Sequence, residues 1–519
     1  MSIPRVSAAV LALLLVTASS GMGQSASERV EALELRWWAE DVQGGIFDVA
    51  RTPDGMIWAA TGEGLLRLDG AEAVRFLPGV DSSPTRLPNG PAEGAPQAIR
   101  AVEHDGSGGL VVALDGGAYR FDDRRFLVLS RPGVGGRPWS ARLLMLDRDR
   151  VLWVAAADTL LRLQPNAFSL RQGLPGVAVD LLWEDPFGYL WATTESGQVF
   201  RRLGNAFQPV NFPLGLGDSQ VHCLHLGPDG LLWLLRSDGA WIVDGDFSRA
   251  GLPRSAGTLG DLEDLTIHTC SSEPDGGLWL GTENGLVYRS VDGQRSRVPG
   301  VDAAVRSIVP VEGDSLWIAT EVGLAQLYDP SAPVLPPSVL VIAAAVDDEE
   351  VAVGERFDLP SNTRMLHLTL SAPSFRSPSE VRLRYRWGQE IAESWTELGG
   401  NELMLDNLPV GESQLTLQAG LGDRWNEPGT KLRIRREPAL WQMRAFWGAI
   451  GAGFGALMVW LLYLRWVGPG PSPLDMPEEL DDDIVHLEDL DTEELRVSRE
   501  TVERARRNIF RDDRPENDR

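Results

Sequence analysis

Lysine is almost missing from this chain. Of 48 basic residues in 519, only Lys431 is a lysine. Acidic residues outnumber basic ones and leave a net charge of −26. That balance excludes an ordinary nucleic-acid binder, which needs a basic face. Cysteine is nearly absent too: two residues cannot staple a disulfide scaffold or build a Cys-rich zinc module. The six histidines (His104, His222, His225, His268, His367, His486) form no HxH or HExxH pair, and there is no CxxC, so no metal and no cofactor is implied. Tyrosine is scarce at 6, yet tryptophan reaches 18, which asks for a positional explanation. At roughly 150 residues per domain, the length suggests two or three domains.

Long apolar runs are also few. The first covers residues 6–16, after a short basic start and before small residues, and reads as a secretory signal peptide over 1–24. The second, residues 445–464, is twenty residues without a charge, flanked by Arg444 and Arg465. At ~1.5 Å per residue it matches the ~30 Å hydrocarbon core of a bilayer. Trp441, Trp447, Tyr463 and Trp466 fall near its ends, where amphipathic rings prefer to sit. A transmembrane helix is expected over 442–466. Residues 25–440 would then be periplasmic or extracellular, and an acidic, mostly disordered tail over 467–519 cytoplasmic, in a bacterial inner (cytoplasmic) membrane. Gly448, Gly451, Ala452, Gly455 and Ala456 give the helix a small-residue face of the kind that lets two helices approach, so a homodimer is expected.

Between these runs the sequence repeats. TPDGMIW ending at Trp58, EDPFGYLW at Trp191, GPDGLLW at Trp233 and EPDGGLW at Trp279 align. DRDRVLW at Trp153 and EGDSLW at Trp317 are looser copies, and a seventh has Val111 in place of Trp. Anchors at 58, 111, 153, 191, 233, 279 and 317 give a period of about 42, the length of a propeller blade. Each unit has an inner strand, a Pro-Asp-Gly type turn, a Trp strand, a turn ending in Gly, and a third strand. A weaker fourth strand closes most units, for example residues 167–170. The last unit lacks a fourth strand, and residues 33–37 supply a spare one. Donating it would close a seven-bladed ring and remove an exposed edge. The expected propeller covers 31–329. A Pro-rich linker follows at 330–338, then short alternating strands over 339–437 that read as a β-sandwich. The expected fold is therefore all-β: a seven-bladed β-propeller, an immunoglobulin-like β-sandwich, one transmembrane helix and a short acidic tail.

The repeat resembles the two-component regulator propeller repeat, and PDGGLWLGTENGL at 274–286 is its nearest copy. The second domain resembles the triple-tyrosine (Y_Y_Y) domain that follows such propellers, through Tyr385, Trp395, Asn407-Leu408-Pro409, Gly411, Trp425 and the EPALW run ending at Trp441. It departs at Leu383, Leu405 and Ser413, where that family usually has Tyr. The resemblance implies the periplasmic sensor region of a bacterial (hybrid) histidine kinase. No kinase signature is legible in the tail, so the expected signalling partner is a separate cytoplasmic or membrane protein such as a histidine kinase.

Aligning the inner strands puts Phe47, Arg100, Arg142, Asp180, His222, His268 and Arg306 at one position. In a propeller that position forms a ring at the central channel, a candidate mouth for an extracytoplasmic ligand, carbohydrate among the options. No catalytic residue is assigned. Two other readings use the same architecture: a surface-anchored adhesive or assembly propeller, and an enzyme resembling the streptogramin lyases, with His222 and His268 near the channel. Cys223 and Cys270 lie on neighbouring inner strands with registers that differ by one, which favours two buried thiols over a disulfide.

Overall fold

The computed structural model describes residues 25–467, apart from 41, 77–97, 108, 122–125, 130–138, 164–170, 177, 212–218, 228–229, 245–254, 274, 312–314, 389–393, 440–441 and 443. The proposed signal peptide and acidic tail, with His486, lie outside the described residues. The chain divides into two units, residues 1–438 and 439–519.

Among the described residues the first unit begins with seven four-stranded sheets. Their inner strands are Ile46–Arg51, Ile99–His104, Ala141–Leu146, Val179–Glu184, Val221–Leu226, Ile267–Ser272 and Val305–Val311. Each inner strand packs beside the next, and the seventh returns to the first, so the ring closes. We number these sheets blades 1 to 7. Blade 7 takes its outer strand from the chain start: Glu34–Glu40 pairs antiparallel with Gly323–Tyr328. The spare strand thus does what the missing-strand argument requires, a few residues longer than the sequence pattern indicates. In blade 3 the described fourth strand is Arg171–Pro175; the expected strand at 167–170 lies outside the described residues. A short helix, Ala26–Glu31, precedes the closing strand. Ser25 and Glu28 cap it reciprocally, and Arg29 pairs with Glu273 of blade 6 at 2.8 Å.

The blade signature has a local physical cause. In blade 4, Asp185 uses one oxygen to accept from Phe187 and Tyr189 backbone N–H (2.9 Å each), which closes the turn. Its other oxygen accepts the Trp191 indole N–H at 2.9 Å. The residue six before the anchor repeats this in blade 3 (Asp147 to Trp153, 2.8 Å), blade 6 (Glu273 to Trp279, 3.0 Å) and blade 1 (Thr52 to Trp58, 3.2 Å). Where Val111 replaces Trp, Asp105 pairs with Arg120 at 2.5 Å instead. The Thr of the following turn folds back on Gly: Thr61, Thr282 and Thr320 donate to the carbonyls of Gly64, Gly285 and Gly323, all at 2.8 Å. Gly64 and Gly285 have φ of 128° and 123°, so only glycine sits there without strain.

Two further sheets follow. One runs Glu349–Val351, Leu340–Val346, Met365–Ser371, Glu402–Asp406; the other has six strands around Gly411–Leu421. Their inner faces enclose one core that includes Phe357, Leu366, Leu368, Leu415, Leu417 and Ile434. Leu383 and Leu405 are buried in that core. The sandwich is seated on the propeller. Phe375 packs edge-on against Trp38 (5.2 Å) and Trp317 (4.9 Å). Arg36 donates to the carbonyls of Phe375 and Arg376, and Ser371 donates to Asp69 at 2.6 Å.

The second unit holds one described helix, Arg444–Val467. Residues Trp447–Val467 are long and apolar enough to cross a membrane by length and composition. Gly448, Gly451, Ala452, Gly455 and Ala456 fall at three- and four-residue spacings on this helix.

Candidate ligand site

Every inner strand breaks register at the same place. The breaks fall between Ile46/Asp48, Ile99/Ala101, Ala141/Leu143, Val179/Leu181, Val221/Cys223, Ile267/Thr269 and Val305/Ser307. The residue skipped in each case is Phe47, Arg100, Arg142, Asp180, His222, His268 or Arg306. The seven positions aligned from the sequence are therefore seven β-bulges. A bulge re-aims its side chain away from the regular alternation, and repeated bulges around a ring give equivalent directions. On either side of it, the residue before faces the previous blade and the residue after faces the next.

The ring has two arcs. On one, the Arg306 and Arg100 guanidiniums share the Phe47 ring, 4.8 and 5.4 Å from its centroid. Arg306 also reaches Glu321 at 3.1 Å and the Gly44 carbonyl at 3.3 Å. Arg100 sits 3.9 Å from Asp115, and Arg142 pairs with Glu195 at 2.8 Å. These arginines are 30–50 % exposed, so the ion pairs contribute little and an incoming anion can displace them. On the other arc, Asp180 accepts from the Gln220 amide. The His222 and His268 rings stand edge to face 6.3 Å apart, and His222 Nε2 meets Ser237 Oγ at 2.7 Å. Burial, reinforced by the His268 charge and opposed by Asp180, holds the His222 pKa below its usual value. Glu195, the partner of Arg142, lies on the adjoining blade.

Beside the ring lie two acids that the alignment does not single out. Asp48 takes the Val49 and Val102 backbone N–H groups (2.9 and 3.1 Å) and the Ser307 hydroxyl (3.1 Å), tying blades 7, 1 and 2 together. Loss of water around it raises its pKa to about 6. Glu103, accepting from His104 N–H at 2.9 Å, is raised to about 8 by burial and by the nearby Asp48 charge. The available signal was a column: Asp48 aligns with Ala101, Leu143, Leu181, Cys223, Thr269 and Ser307, and is its only charged member.

The cysteines correct the sequence reading. Cys223 and Cys270 form a disulfide, with Cα atoms 5.7 Å apart, and no described cysteine is free. The one-residue offset is what the geometry needs. Adjacent blades meet by opposite faces, so Cys223, facing blade 6, requires a partner of the other parity, and Cys270 faces blade 5. Among the described residues, no group of three or more His, Cys, Asp or Glu is placed to hold a metal.

Neither a family model nor a curated protein matches the chain. Solved structures similar to it include the extracellular domains of two hybrid two-component systems from B. thetaiotaomicron. One is 16 % identical with a TM-score of 0.45, covering 78 % of this chain and 59 % of that one. The other is 14 % identical with a TM-score of 0.44, covering 78 % and 57 %. The chain thus spans less than three-fifths of those domains. Virginiamycin B lyase from Staphylococcus aureus is 12 % identical with a TM-score of 0.44, covering 57 % of this chain and 99 % of that one. All are likenesses at the level of the fold.

Proposed function

We propose that this chain is a single-pass bacterial sensor or co-receptor whose propeller captures an extracytoplasmic ligand at the bulge ring. The carrying observation is the coincidence of seven bulges with seven aligned positions, six of them polar or charged. A regular strand would fill a channel without any bulge, so a bulge kept in every blade is a device for presenting side chains. The arginine and Phe47 arc suits an anionic or sugar ligand: guanidiniums bind carboxylates or hydroxyls, and an aromatic edge supports a sugar face.

In this reading the sandwich relays a rearrangement of a homodimer to the membrane helix, whose Gly448, Gly451, Ala452, Gly455 and Ala456 face mediates pairing. A ligand acts only by binding one arrangement better than the other. The domain limits 31–329, 339–437 and 442–466, the signal peptide 1–24 and the cytoplasmic placement of 467–519 belong to the same proposal, as does a separate signalling partner such as a histidine kinase. A pull-down with residues 465–519 as bait tests the output: recovery of a kinase or regulator supports signalling, and recovery of neither supports the adhesive reading. A glycan array of acidic and neutral oligosaccharides, probed with wild type and with Arg100→Ala/Arg306→Ala, tests the input.

A further inference from the structure

The chain carries −26, and its only lysine sits on a basic surface. The outer face of the six-stranded sheet shows why. Alternation sends Leu383, Leu432, Ile434 and Phe357 into the core. The residues between them, Arg382, Arg384 and Arg386 on one strand, Lys431, Arg433 and Arg435 on another, and Arg356 on a third, take the opposite face. Among the described residues these seven cations share it with Asp358, Glu397 and Glu412, and Glu427 also acts on Arg384, an excess of three.

The arrangement is built rather than scattered. Arg384 is held between Trp425 (3.8 Å) and Trp395 (4.3 Å), with Arg386 over Trp395 at 4.7 Å and Arg382 over Trp425 at 5.2 Å. Arg384 also donates twice to Gln418. Lys431, Arg433 and Arg435 are exposed and have no ion-pair partner among the described residues. Arg433 stands directly opposite Arg356 in register. Arg356 is paired with Asp358 at 2.9 Å, so the charge left unpaired on this face is that of Lys431, Arg433 and Arg435, which an anionic partner would meet.

We propose that this face docks on the anionic lipid headgroups of the bilayer that the C-terminal helix crosses. The proposal rests on the single-pass reading. Charge complementarity selects an anionic surface, and basic residues close to one are each attracted to it. Chain length selects the bilayer: eight residue steps separate Arg436, the end of the most basic strand, from Arg444 at the helix start. That leash extends at most about 28 Å. Tryptophans among cations also suit the headgroup layer.

The single lysine supplies a unique probe. Full-length protein is placed in nanodiscs, one copy per disc, of phosphatidylcholine alone or with about 30 % phosphatidylglycerol. A neutral amine-reactive reagent is added and Lys431 modification followed by mass spectrometry. The expected result is modification slowed about threefold or more in the anionic discs, with the difference abolished by high salt and by Arg433→Glu/Arg435→Glu. The salt arm needs no substitution, so it stands even if the variant fails to fold. Equal rates in the two lipids overturn the proposal and leave the single-pass reading intact. Protection seen only in discs holding two copies assigns the face to a second copy and overturns it as well. Protein that never enters the discs overturns both readings.

Discussion

Asp185 divides its two oxygens between a surface turn and an indole, and both its own side chain and that of Trp191 are buried. Its replacement by Ala strands the Trp191 N–H and two backbone N–H groups, an expected loss of about 2–3 kcal/mol in chemical denaturation. Asp48 and Glu103 behave in the opposite sense, because burial disfavours their charged forms. Their folded pKa values, about 6 and about 8, lie above the ordinary 3.8 and 4.5. The folded protein therefore retains protons that the unfolded chain releases. Their contribution is full below about pH 4 and is lost as pH rises through 6 and 8. Melting temperature should fall over that window, and Glu103→Gln should flatten the upper part; an unchanged slope in the variant contradicts the assignment. Much of the candidate site was legible in the sequence because a period near 42 lets one column be compared seven times. Asp48 stands out in the sequence only as the one charged member of its column, and its bonds to Val102 and Ser307 of neighbouring blades are not encoded by spacing within one strand.

At the scale of elements, the turns carried the legible signal. Pro-Asp-Gly and Thr-x-x-Gly fix local geometry through their own side chains, so the strands between them could be placed to within a residue or two. The helix Ala26–Glu31 was missed, although Ser25 and Glu28 spell its capping box. The disulfide was misjudged because parity within one sheet was applied to two sheets that meet by opposite faces. It closes a separation of 47 residues, for which chain entropy predicts at most about 4 kcal/mol. Reductant, or Cys223→Ser/Cys270→Ser, should lower the melting temperature; an unchanged melt contradicts a formed bond. The closing strand offers a second test. Deleting residues 26–40 exposes the Gly323–Tyr328 edge, and the expected outcome is association by sedimentation.

At the scale of the molecule, the propeller and sandwich share an aromatic junction of Trp38, Trp317 and Phe375, reinforced by Arg36 and Asp69. A relay needs such a junction, since a ligand-induced change in the ring reaches the sandwich only through packed contacts. Phe375→Ala, half-buried, should cost about 2 kcal/mol and uncouple the melting of the two folds in calorimetry. One cooperative transition in the variant contradicts that role. The bulge ring remains the account's centre, and one measurement bears on it most directly: isothermal titration of the purified protein and of Arg306→Ala with an anionic oligosaccharide retained on the glycan array. Arg306 is partly exposed, so the fold should persist. Binding by Arg306→Ala should be weakened about tenfold or more. Equal affinity of the two proteins would place the ligand elsewhere and contradict the bulge-ring site.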